Sequence, residues 1–199
     1  MDTSANKSIT IKDMVLSFSV LGIVAIVCML IWKRLETLDF IIELFNPANL
    51  VQSGLFGIGA GVMFSLFVLV VVRITKTKIP KDENNDMLVD LMKKSYGPAV
   101  VAVLPGIFEE LFFRGFLLAL FLSFFDSYVA IILSTFVFWI IHVPQYKTNI
   151  VLNSVVIMLS VIVSLLFIEF GTLWAPILAH CVYNYLVTLF VKKNLINVY

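Results

Sequence analysis

The chain has 199 residues, of which 61% are hydrophobic and only 14% charged, with a formal net charge of +1 and a mean hydropathy of +1.04. A soluble domain carries roughly 45–50% apolar and about 25% charged residues, so a soluble core of this length is excluded. The near-zero charge identifies no charged partner, and nucleic acid is not expected among the partners.

The polar start MDTSANKSITIKD leads into an apolar run over 14–32. That run exceeds the 7–15-residue core of a signal peptide and has no small-residue cleavage pattern behind it, which predicts a retained first span. Residues 36–46, ETLDFIIELFN, have an amphipathic look and read either as an interfacial helix or as a plain loop. A second span is predicted over 53–74, where GIGAG sets Gly57 and Gly61 at a small-xxx-small spacing that lets helices approach closely. The one long polar connection, 76–97, predicts a cytoplasmic loop with a short amphipathic helix, its mixed charges forming a solvated face. A gating role for it is the lesser reading.

Four more spans are predicted over 98–121, 127–143, 151–168 and 173–191. Each run of about 20 residues is long enough to cross a bilayer core of roughly 30 Å at 1.5 Å per residue. The runs are continuous rather than alternating, which excludes a membrane β-barrel. The expected fold is therefore all-α: a polytopic membrane helical bundle of about six transmembrane helices. It forms a single membrane domain over 1–199, with two N-terminal spans in 14–74 and a core at about 95–191. No internal repeat is evident.

Basic residues orient the bundle. With the N-terminus in the cytoplasm, eleven of the fourteen Lys and Arg residues fall in cytoplasmic segments. Lys33 and Arg34 fall on the other side and Arg114 within a span, which favours both termini inside. Cys28 and Cys181 both lie in predicted spans and read as small core hydrophobes rather than a disulfide or a cysteine metal site.

Charges inside the spans demand an explanation. Glu109, Glu110 and Arg114 sit in GIFEELFFRGFLL, residues 106–118, where a charge near the bilayer centre costs roughly 2.5–3.5 kcal/mol on insertion scales. Glu110 and Arg114 are spaced i, i+4 and can pair along one helix face, so a buried ion pair that locks helices is the structural reading. Glu109, rotated about 100° from Glu110, is left free for chemistry. His142 follows Phe138 by one turn, with Pro144 expected to help close that helix. His180 precedes Asn184 by one turn. A lone histidine near a helix end usually serves as an interfacial hydrogen-bonding residue, but two histidines, an amide and a carboxylate pair on three helices form a candidate site. Glu109, His180 and Asn184 come at comparable depths. His142 lies shallower, which predicts a tilted helix or, preferably, a water-filled cavity open to the cytoplasm.

Carboxylate, imidazole and amide without a nucleophilic serine or cysteine motif point to water as the nucleophile. The unpaired Glu109 is the better general base, and His180 and Asn184 on one helix face can donate to an oxyanion. A zinc version using Glu109, His142 and His180 is also open, because two histidines and a glutamate form a known catalytic zinc set. Against it, there is no H-E-x-x-H, and no cofactor is favoured.

Taken together, E-E-x-x-x-R (Glu109, Glu110, Arg114), F-x-x-x-H (Phe138, His142) and H-x-x-x-N (His180, Asn184) resemble the pattern of the CPBP family, the CAAX protease and bacteriocin-processing or Abi intramembrane proteases. The resemblance covers roughly residues 95–190. It implies that Glu109 and His142 activate water, that His180 and Asn184 stabilise the oxyanion, and that Glu110, Arg114 and Phe138 support the site, without a metal in the preferred version. The implied substrate is a peptide or membrane protein met in the lipid bilayer, and the implied location is a bacterial cell membrane. The chain is short for the CAAX-processing members, which points away from prenylated CAAX substrates. Two other readings remain: a non-catalytic bacteriocin self-immunity or scaffold protein on the same fold, and a transporter using the buried acids and histidines as a proton relay.

Overall fold

The computed structural model describes residues 10–80 and 83–198. The start up to residue 9, with Lys7, and the loop residue Lys81 lie outside them. Helix α1 (Ile11–Lys33) opens on a capping box, in which the Thr10 hydroxyl accepts from the Asp13 amide and the Asp13 carboxylate accepts from the Thr10 amide. A 3₁₀ turn and the short helix α2 (Thr37–Leu44) follow. Residues 36–46 are thus mostly helical, with Thr37 and Leu44 buried and Leu38 and Ile42 outward. Helix α3 (Leu50–Thr75) returns across the bundle. Helix α4 (Glu83–Lys93) is the expected short helix of the polar connection.

Next come α5 (Gly97–Glu110), a π-helical stretch over Leu111–Leu118 and α6 (Ala119–Leu122). The third predicted span is therefore one helical run whose winding changes directly after Glu110, a local widening common where a helix must re-aim side chains. Helices α7 (Ser127–Tyr146) and α8 (Ile150–Phe170) start on Asp126 and Asn149, whose side chains accept amides of the first turn. Gly171 ends α8 in the left-handed region (φ 67°), as a C-terminal glycine can without strain. Helix α9 (Trp174–Lys192) completes the run.

One boundary differs from expectation. Pro144 does not close α7, which continues to Tyr146. A proline in the last turn forfeits a single backbone bond near a frayed end, a smaller loss than at mid-helix.

Four stretches are long and apolar enough to cross a membrane, the first of which, Ile11–Thr75, contains both α1 and α3. Gly97–Leu122 adds a further long run that carries Glu109 and the buried Glu110 and Arg114. Outward side chains such as Leu16, Ile31, Val51, Met63 and Ile74 are exposed, as expected of helices facing acyl chains rather than water. No strand occurs among the described residues, only a bridge between Ile79 and Val198. The protein is a helical membrane bundle.

Helix α9 is its centre, packed on α3 and α5. The glycines make that possible. A Cβ at Gly61 would come within 2.6 Å of the Ala179 carbonyl oxygen and 2.8 Å of Val182 Cβ, and one at Gly57 would strike the Ala175 carbonyl. A Cβ at Gly106 would strike the Cys181 sulfur. Small residues thus bring the backbones of α3 and α5 onto α9 on either side of His180. Cys28 and Cys181 are free thiols.

Candidate active site

Two acid–imidazole pairs form where α5, α7 and α9 meet. In the first, His142 Nε2 lies 3.9 Å from Glu109 Oε2, with the side chains 19% and 13% exposed. His142 Nδ1 sits 2.7 Å from the Phe138 carbonyl oxygen one turn earlier. A carbonyl only accepts, so Nδ1 donates to it and Nε2 is the ring atom that faces Glu109.

In the second pair, His180 Nδ1 lies 2.6 Å from Glu110 Oε1. The same oxygen accepts from Arg114 Nη1 at 3.2 Å, and Glu110 and Arg114 are fully buried. The i, i+4 ion pair expected from the spacing is present, but it does not stand alone, since Glu110 also takes His180. A carboxylate that accepts from two charged or chargeable donors recovers part of the cost of removing it from water.

Phe138 separates the pairs. Its ring is 1% exposed and has His142 at 4.5 Å between centroids, His180 at 6.4 Å, and the Arg114 guanidinium carbon at 4.8 Å from its centroid. The guanidinium over the ring face gains a cation–π contact in place of lost solvation.

Asn184 is placed by a proline. Pro105 lies inside α5 and has no amide hydrogen for the Val101 carbonyl four residues earlier. Asn184 Nδ2 donates to that Val101 oxygen at 3.4 Å. A carbonyl stripped of its helical partner has to find another donor at membrane depth, and here a side chain of α9 supplies it.

The structure therefore gathers Glu109 with His142, and Glu110 with Arg114 and His180, around Phe138, with Asn184 one turn beyond His180. Among the described residues, no group of three His, Cys, Asp or Glu side chains is placed to hold a metal ion. Of the residues of the zinc alternative, Glu109 and His142 face each other and His180 turns Nδ1 to Glu110. On the side of Tyr146 lies a cavity of about 70 Å³ between α3, α4, α7, α8 and α9, whose wall includes Leu88, Met92, Tyr183 and Val187. Its lining is mainly apolar.

The sequence reading missed Ser160 and Thr135. Arg114 Nη2 donates to the Ser160 carbonyl at 2.9 Å and to its hydroxyl at 2.7 Å, and that hydroxyl donates to Thr135 Oγ1 at 3.1 Å. A small hydroxyl inside an apolar span gives little warning, because it can satisfy itself on its own helix.

Residues 95–186 match the model of a family described as type II CAAX prenyl endopeptidase Rce1-like. No curated protein and no solved structure matches the chain.

Proposed function

We propose that this chain, whose residues 95–186 match the Rce1-like CAAX endopeptidase model, is a CPBP-type intramembrane endopeptidase that hydrolyses a peptide or membrane-protein substrate by attack of an activated water. The observation that carries this reading is the Glu109–His142 pair. At 3.9 Å its facing atoms are too far apart for a direct hydrogen bond, yet one water can touch both at about 2.8 Å. Both groups keep some exposure, whereas the Glu110–Arg114 pair is sealed.

In this mechanism Glu109 is the general base that takes the proton of the attacking water, and His142 orients that water through Nε2. Asn184, one turn beyond His180 on α9, offers a donor for the tetrahedral oxyanion, and His180, its Nδ1–H held by Glu110, offers a second through Nε2 when both ring nitrogens carry protons. Glu110, Arg114 and Phe138 hold His180 in place. No metal enters any step. The excess of basic residues in the segments flanking the spans on one side supports cytoplasmic termini, and a bacterial cell membrane is the location that the resemblance to the CPBP family suggests.

The test compares the peptides and proteins of membranes carrying the native chain with those carrying Glu109→Gln. A species that persists only with the variant is the expected outcome, and purified native protein then cleaves it while the variant turns over at least about 10²-fold more slowly. Identical membrane contents together with undiminished biological protection by Glu109→Gln would overturn proteolysis in favour of partner binding.

A further inference from the structure

Behind Arg114 the polar chain continues into α7 and α8, neither of which carries Glu110, Arg114 or His180. Arg114 Nη2 donates twice to Ser160 on α8, and the Ser160 hydroxyl passes its own proton to Thr135 Oγ1 on α7. Ser160 and Arg114 are fully buried and Thr135 is 7% exposed. The donor order is fixed from end to end. A guanidinium can only donate, so the Ser160 oxygen must accept from it. The Ser160 proton is then free to point at Thr135. Arg114 Nη1 donates to Glu110 Oε1, which also takes His180 Nδ1.

We propose that Ser160, oriented by Thr135, is a positioning residue for His180: it fixes the Arg114 fork, the fork fixes the Glu110 carboxylate, and the carboxylate holds the His180 proton on Nδ1 with Nε2 turned to the site. The polarity of this chain gives it a role beyond filling space. Without the Ser160 hydroxyl the fork keeps only the Ser160 carbonyl and can rotate about it, and Glu110 Oε1 follows. His180 then loses the acceptor that selects its tautomer. The consequence for turnover rests on the proteolytic reading above. The tautomer does not.

The histidine count makes the tautomer directly observable, since His142 and His180 are the two histidines of the chain. In ¹⁵N-histidine spectra of the full-length protein in lipid nanodiscs, His142→Gln identifies which signals belong to His180. Ser160→Ala and the near-isosteric Thr135→Val should both move His180 away from the Nδ1-protonated pattern and leave His142 in place, while Thr135→Ser keeps the native spectrum. With a substrate in hand, kcat should fall about 10-fold at unchanged KM in the first two variants, the scale of one lost hydrogen bond to a charged group. Folded Ser160→Ala and Thr135→Val proteins with native His180 signals would overturn the proposal, as would a Thr135→Ser spectrum indistinguishable from that of Thr135→Val. If the His180 signals move as expected but no cleavage is found with the native chain, the positioning chain stands and the proteolytic reading falls.

Discussion

Glu109 and Glu110 are chain neighbours in opposite environments. The first keeps 13% exposure and faces His142 across 3.9 Å, whereas the second has none and shares one oxygen between Arg114 and His180. The same chemical change should therefore have different consequences at the two positions. Glu109→Gln removes a charge that no short ion pair depends on, so turnover is lost while the unfolding temperature in detergent stays within about a degree or two of native. Glu110→Gln strands a buried guanidinium and alters the acceptor of His180, so stability should drop by about 3–5 kcal/mol, the scale for breaking one partner of a buried pair. Parallel thermal unfolding followed by tryptophan fluorescence decides it. Equal unfolding temperatures for the two variants would contradict the assignment of Glu110 as the structural acid.

At the level of helices, the site depends on how closely α9 can be approached. Gly61 and Gly59 lie on the same helix, but a Cβ at Gly61 meets the Ala179 backbone oxygen at 2.6 Å, and a Cβ at Gly59 meets nothing within 4 Å. Gly61→Ala should push α3 away from α9 and cost about 1–3 kcal/mol by overpacking. Gly59→Ala should be neutral or stabilise by up to about 1 kcal/mol through helix propensity. Similar unfolding temperatures for the two would show that α3 and α9 do not pack this closely at Gly61. Pro105 supports a sharper prediction. Pro105→Ala restores an amide to the Val101 carbonyl, so α5 gains a hydrogen bond and Asn184 loses its acceptor. Thermal stability should hold or rise while substrate turnover falls, and turnover that is unchanged would remove Asn184 from the site.

On the scale of the whole molecule, the long helices were legible because hydropathy along the chain reports membrane depth directly, and their ends fell within a few residues of expectation. The i, i+4 ion pair was legible for the same reason, being a property of one helix. Lateral relations were not. Nothing in the spacing says that His180 turns to Glu110, that Phe138 stands between both imidazoles, or that Asn184 answers the carbonyl freed by Pro105. Those contacts depend on how each helix is rotated and on which neighbours it meets. The π-helical winding after Glu110 changes that rotation partway along one span. What depth does predict is sidedness. Six long helical runs separate the start of α1 from the end of α9, an even number, so Arg34 after the first and Lys193 after the last should lie on opposite sides of the membrane. In a chain with Cys28 and Cys181 replaced, a membrane-impermeant maleimide added to intact cells should label Arg34→Cys, while Lys193→Cys reacts only after the membrane is opened. Labelling of both from the same side would mean that one of the six runs does not cross, and the first suspect would be Gly97–Leu122. That run carries three charges at its middle, and its two buried ones, Glu110 and Arg114, are met there by His180, Ser160 and Phe138 from neighbouring helices.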